Sequence, residues 1–177
     1  MLFRSSSLAP EVFSLTLPSP VPGLRFFVLD STDPESVSAV DNAVDLQRTL
    51  FIVASKSGKT IETLSQFHYF QDRLRKAGTH PPGRSFIAIT DSGSYLDRLA
   101  SEQEFHRVFR NPEDIGGRYS ALSYFGLVPA APWGVDIAAV LDGAIAMREA
   151  CGLQANPSEN PGLALGALLG AAARQRH

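Results

Sequence analysis

The apolar run Leu50-Phe51-Ile52-Val53-Ala54 passes directly into Ser55-Lys56-Ser57-Gly58-Lys59-Thr60-Ile61-Glu62-Thr63. An unbroken apolar run of this length predicts a strand buried on both faces, as in a parallel sheet. The pattern from Ile61 onward predicts a helix. A strand, then a turn rich in hydroxyls with one glycine, then a helix start make a natural place for an anion. The first N–H groups of a helix lack partners within it, and its macrodipole is positive there. The ligand such a turn suits best is a phosphate.

Two phosphate chemistries compete for this turn. Gly58-Lys59-Thr60 is also the tail of a nucleotide-binding loop, G-x-x-x-x-G-K-[ST]. That motif requires glycine where this chain has Val53, within the strand. The strand Phe86 to Thr90 ends next to Asp91 and imitates a magnesium-holding partner, but strands that end in aspartate are common in doubly wound folds.

Alternating strand and helix patterns along the chain predict an α/β fold with a parallel sheet covered on both sides. Strands are expected at Leu24–Leu29, Thr49–Ala54, Ser85–Thr90 and Phe105–Phe109. Between them a helix capped by Asp33 runs to about Val44, a second spans Thr60–Ala77 and stops at Gly78, and a third spans Tyr95–Glu102. From about residue 120 the chain reads as helical. A helix from Val135 to Glu149 is expected to bury Ile137, Leu141 and Ile145, and a small-residue helix runs from Gly162 to Arg174. In open parallel sheets ligands lie beyond the carboxyl ends of the strands, where the turn after Ala54 begins.

A second segment shares that end: Asn111-Pro112-Glu113-Asp114-Ile115-Gly116-Gly117-Arg118-Tyr119-Ser120. Paired glycines allow close backbone approach to a ligand, and arginine presents an always-ionised fork to oxyanions. Together the two segments resemble the sugar isomerase domain of the phosphoglucose isomerase family. Its phosphate loop is S-K-[TS]-x-x-T-x-E-T and its second signature is G-G-R-[YFW]-S. The spelling, including Ser5-Ser6-Ser7-Leu8-Ala9-Pro10, is closest to bacterial forms, among them fusions with a transaldolase. The likeness extends from about Ser5 to about Ala173.

The resemblance implies a three-layer αβα sandwich with a parallel, flavodoxin-like sheet. It implies that Ser55, Ser57 and Thr60 hold a substrate phosphate, with Lys56, Thr63 and Ser6 contributing. It places Gly116 and Gly117 near the substrate and Arg118 beside an enediolate intermediate. Gly58 and Lys59 fall at positions that vary in the family. Tyr119 and Ser120 are assigned to packing and capping.

The resemblance also implies gaps. The family's catalytic glutamate, ring-opening histidine and late lysine lie in motifs with no match here, and Glu113, Glu149 and Glu159 do not fit the base. Where the family has a strand ending in Gly-Gly, this chain has Met1-Leu2-Phe3-Arg4-Ser5. The first strand is therefore expected to be missing, leaving residues 1–177 as a single partial domain with an exposed edge. The expected function is the sugar-phosphate-binding part of a glucose-6-phosphate isomerase, inactive alone. The alternatives are a non-catalytic sugar-phosphate-binding module and, less favoured, a nucleotide hydrolase.

Composition narrows the partners. A net charge of −2 gives no reason to invoke nucleic acid or an anionic membrane surface. The apolar stretch Leu163–Ala173 falls short of the roughly 20 residues that span a bilayer, and Met1 to Arg4 has no apolar signal core. The single cysteine, Cys151, excludes an intrachain disulfide and suits a reducing cytoplasm; it reads as a small buried residue. His68, His80 and His106 have no partners at recognisable spacing and read as surface or half-buried. No metal and no cofactor are expected. A sugar phosphate is the expected partner, and a homodimer is possible for a full-length member of the family.

Overall fold

A computed structural model describes residues 2–4, 8–17 and 21–174. The chain divides into two compact units, Met1–Val135 and Asp136–His177.

The first unit is built on a five-stranded sheet, in which every strand pairs in parallel with its neighbours. Its strands are β1 (Leu2–Arg4), β2 (Val28–Leu29), β3 (Phe51–Ala54), β4 (Phe86–Asp91) and β5 (Arg107–Asn111). They lie in the order β2-β1-β3-β4-β5. This is the flavodoxin-like order, whose switch point lies between the first and third strands.

The expectation of a missing first strand is corrected here. Leu2–Arg4 forms an interior strand, with Leu2 opposite both Val28 and Ile52, Phe3 opposite Val53 and Arg4 opposite Ala54. Ladder hydrogen bonds use backbone groups, so a short segment without the family's glycine spelling still fills the slot. Residues Ser5 to Ser7, including the expected phosphate contact Ser6, lie outside the described set.

Alternation along β3 explains the layers. Phe51 and Val53 join one core with Phe67, Phe70 and Leu74 of α3 (Ile61–Lys76) and Leu96, Leu99 and Ala100 of α4 (Tyr95–Glu102). Val37 and Val40 of α2 (Pro34–Ala43) pack on the same side. Ile52 and Ala54 face the other way, onto Phe125 and Val128 of α5 (Tyr124–Trp133), and α1 (Leu8–Thr16) contacts α5. The three-layer αβα sandwich follows from one strand buried on both faces.

The first core is rich in phenylalanine. Phe51, Phe67, Phe70, Phe86 and Phe105 form consecutive ring contacts with centroids 5.0 to 5.3 Å apart. These are ordinary offset and edge-on geometries. The buried face of α3 comprises Thr63, Gln66, Phe67, Phe70, Gln71 and Leu74. Two glutamines lie on this face: Gln66 Nε2 donates to the Ser31 carbonyl and Gln71 Nε2 to Gln103 Oε1, while Gln66 Oε1 has no partner among the described residues. Ile61, the first residue of α3, is exposed.

Helix boundaries follow their caps. Asp33 accepts from the Ser36 N–H at 2.9 Å, and Ser94 accepts from the Asp97 N–H at 3.1 Å. The strand expected at Leu24–Leu29 shrinks to two residues. The Arg25 guanidinium, ahead of the paired residues, donates to the Ala43 carbonyl and lies over the Phe27 ring.

The second unit contains α6 (Ile137–Ala150) and α7 (Pro161–Arg174). The stripe expected to be buried on α6 is not: Leu141 and Ile145 are exposed, and neither helix has a buried residue. Period alone marks an apolar face without supplying anything to cover it. Cys151 is likewise exposed rather than buried, at the carboxyl end of α6.

Candidate functional site

The turn after β3 sits beside the switch point of the sheet. The turn is folded by its own hydroxyls. Ser55, only 1% exposed, accepts from the Gly58 N–H at 3.2 Å and shares a hydrogen with Thr60 Oγ1 at 3.1 Å. Ser57 is exposed and accepts from the Lys59 N–H at 3.3 Å. Thr60 is the N-cap of α3 by position, yet its side chain makes no cap hydrogen bond.

The turn is left with many unsatisfied donors. The N–H groups of Lys56, Ser57, Thr60, Ile61, Glu62 and Thr63 have no hydrogen-bond partner among the described residues. The Thr63 hydroxyl is buried and also lacks one among the described residues. Idle donors gathered at one helix start, in the positive end of its dipole, are a place for an anion.

Three contributors escaped sequence reasoning. Gly58, read as variable, has φ +69°, and a Cβ there would lie 2.3 Å from the Leu96 backbone nitrogen. The turn therefore needs glycine both for its backbone and for its closeness to α4. Thr90, fully buried at the end of β4, reaches the Ser55 carbonyl at 2.7 Å, the Lys56 carbonyl at 3.1 Å and Ser94 Oγ at 2.7 Å. Asp91 accepts nothing from the turn's N–H groups but returns its own N–H to the Lys56 carbonyl. A hydroxyl ending an apolar strand was the available signal for Thr90, and its role depends on a neighbour in space.

The loop from β5 to α5 carries Gly116, Gly117 and Arg118. Asn111, 3% exposed, donates to the Pro112 carbonyl and accepts from the Tyr124 N–H. At the far end Ser120, also buried, donates to the Gly117 carbonyl at 2.6 Å. Gly116 and Gly117 are exposed between these anchors, and the Arg118 backbone lies in a short 3-10 turn, Gly117–Tyr119. The Arg118 side chain is outside the described set. Tyr119, assigned to packing, is instead 85% exposed.

Lys56 joins the two loops. Its ammonium donates to the Glu113 carbonyl at 2.5 Å and the Ile115 carbonyl at 3.2 Å, and lies 3.8 Å from Asp91 Oδ2. Burial pushes the Asp91 carboxyl above its ordinary pKa; the Lys56 charge opposes that shift and Glu113 adds to it. Beside this cluster Arg110 pairs with both oxygens of Asp97, and the Gly93 N–H adds a bond. The Arg110 hydrogen bond is the chief reason that the Asp97 carboxyl lies below its ordinary value.

Val53 disposes of the nucleotide-loop geometry. It is fully buried in mid-strand, where the motif requires a turning glycine. A cavity of about 520 Å³ exists at the opposite end of the sheet, lined by Arg25, Arg48, Leu50 and Trp133 among others, and is separate from the two loops. His68, His80 and His106 are exposed. Among the described residues no three His, Cys, Asp or Glu side chains gather as a metal site.

Fold and site together define an open doubly wound α/β domain with a turn rich in unpartnered N–H donors at its switch point. A family model described as phosphoglucose isomerase matches residues 4–172. The chain is 38% identical over 141 residues to glucose-6-phosphate isomerase of Citrifermentans bemidjiense, covering 78% of this chain and 26% of that protein. It is 37% identical over 158 residues to the same enzyme of a Cyanothece species, covering 86% and 30%. A crystal structure of glucose-6-phosphate isomerase from Chlamydia trachomatis superposes with a TM-score of 0.83 at 30% identity, over 98% of this chain and 33% of that one. A Thermus thermophilus protein described as hypothetical reaches 0.85 at 32% identity, over 96% and 40%. The chain belongs to the phosphoglucose isomerase family. It spans about a quarter to a third of the length of the curated relatives it matches.

Proposed function

We propose that this chain is the sugar-phosphate-binding part of a glucose-6-phosphate isomerase, which interconverts glucose 6-phosphate and fructose 6-phosphate. The observation that carries this reading is the set of idle N–H donors and hydroxyls from Lys56 to Thr63, at the switch point of the sheet. A phosphate monoester presents three terminal oxygens, and short donors converging from one turn can each meet a different one. Ser55, Ser57, Thr60 and Thr63 supply hydroxyls in this reading, residue 56 supplies its N–H, and Ser6 adds a contact from the segment after β1.

The reaction removes a proton from one carbon of the substrate and returns it to the adjacent carbon through an enediolate. Negative charge that builds on the two oxygens is lowered by a fixed cation, the role proposed for Arg118. Gly116 and Gly117 let the backbone approach the sugar without side-chain obstruction. The proton-abstracting base is not assigned to any residue of this chain, so binding without turnover is expected.

Calorimetric titration tests the reading. Fructose 6-phosphate and glucose 6-phosphate should bind saturably and more tightly than inorganic phosphate, and Arg118→Ala should remove most of that preference. Magnesium-dependent binding of ATP in place of sugar phosphate would overturn it. First-order isomerisation by the purified chain, abolished by Arg118→Ala, would show that it carries a base after all.

A further inference from the structure

Lys56 belongs to the phosphate turn by sequence, but its side chain leaves that turn. The ammonium passes the end of β4 and reaches the loop after β5, two strands away in the sheet. An ammonium has three donors. Two meet the Glu113 and Ile115 carbonyls, and the carboxylate of Asp91 stands on the remaining side at 3.8 Å. The backbone at the same residue faces the other way in function: its N–H is idle, and its carbonyl is held by Thr90 Oγ1 and the Asp91 N–H.

The loop it reaches has few other anchors. Asn111 fixes the start and Ser120 the end, and between them the hydrogen bonds among the described residues are short-range turns, Ile115 to Pro112 and Tyr119 to Gly116. Glu113, Asp114, Gly116 and Gly117 are exposed. Among the described residues Lys56 is thus the long-range tie on the stretch that leads into Gly116-Gly117-Arg118. Ile115, whose carbonyl it holds, immediately precedes Gly116.

We propose that Lys56 is a positioning residue that couples occupancy of the phosphate turn to the placement of the Gly116–Arg118 loop. A phosphate on the residue 56 N–H fixes the peptide from which the side chain springs. The side chain in turn fixes the carbonyls on either side of Asp114. Asp91 balances the charge of the latch without competing for the ligand. The specific consequence is that Lys56 contributes little to gripping a bare phosphate and much to preferring a sugar phosphate. This inference rests on the sugar-phosphate reading above.

The test compares Lys56→Met, Lys56→Arg and Arg118→Ala with the wild-type chain, using fructose 6-phosphate and inorganic phosphate as ligands. In Lys56→Met the preference for the sugar phosphate over inorganic phosphate should fall by roughly tenfold or more, the factor a charge-assisted hydrogen bond carries. In the Arg118→Ala background Lys56→Met should add little, and Lys56→Arg should restore part of the preference. Equal weakening toward both ligands, or effects of Lys56→Met and Arg118→Ala that simply add, would overturn the coupling.

A ligand-free measurement stands beside it. Hydrogen exchange at the amides of residues 115–119 should quicken in Lys56→Met, with the core strands unaffected. Unchanged exchange there overturns the latch itself. Failure of the wild-type chain to bind either ligand overturns the sugar-phosphate reading, and with it the coupling, and is told apart by the exchange result.

Discussion

Thr90, at the end of β4, donates its hydroxyl to the Ser55 carbonyl at 2.7 Å, so one strand holds the turn that follows its neighbour in place. The proton traffic is consistent. Ser94 Oγ, which accepts from the Asp97 N–H, has its hydrogen free for Thr90, and Thr90 spends its own on the Ser55 and Lys56 carbonyls. The position of the turn is thus a property of two strands and the start of α4.

Thr90→Val keeps the shape and removes the donor. Two carbonyls lose a buried partner, which costs about 1–3 kcal/mol. Chemical denaturation should show that loss, and sugar-phosphate affinity should fall with it because the turn relaxes.

Thr63→Val should behave in the opposite way. The Thr63 hydroxyl is buried and unpartnered among the described residues, so an apolar replacement of the same shape removes a desolvation penalty. Stability should hold or rise by about 1 kcal/mol, while affinity for phosphate declines. A loss of stability with unchanged affinity would show that this hydroxyl serves the fold.

Two glycines separate backbone strain from crowding. Gly58 and Gly93 both have positive φ, +69° and +66°. A Cβ on Gly93 meets nothing within 4 Å, whereas one on Gly58 would press on the Leu96 backbone. Gly93→Ala should cost about 1–2 kcal/mol from the left-handed conformation alone. Gly58→Ala should cost more and also weaken phosphate binding, because the turn must move away from α4. Thermal unfolding of the pair, with titration, checks both parts.

Acid unfolding should report Asp97 and Asp91 with opposite signs. The folded pKa of Asp97 is depressed, so its contribution is present above the unfolded value and is lost as pH falls through the folded one. The folded pKa of Asp91 is raised, so its contribution is fullest below the unfolded value and is lost as pH rises through the folded one. Asp97→Asn should flatten the rise of stability with pH across the carboxylate range, and Asp91→Asn should steepen it. Unfolding free energies measured through that range decide the matter.

Much of the fold was legible because local chemistry determined it. Asp33, Ser94 and Gly78 mark helix ends wherever the helices pack, and the run before Ser55 is apolar on both faces because both are covered. The helix Tyr95–Glu102 was placed to the residue. Leu2–Arg4 was misjudged because a backbone ladder accepts residues whose spelling carries no strand signal. The stripe on α6 was misjudged because periodicity states which face is apolar and not whether a neighbour covers it.

The hydroxyl-rich turn after β3, the helix that opens from it and the Gly-Gly-Arg segment could be read from the residues alone, since each depends on residues close together in the chain. What holds them comes from contacts made in the folded chain. Thr90 under Ser55, Leu96 against Gly58 and Lys56 on Glu113 and Ile115 join residues 35, 38, 57 and 59 positions apart. Such contacts arise when parallel strands bring distant loops to one edge, and no local pattern records them.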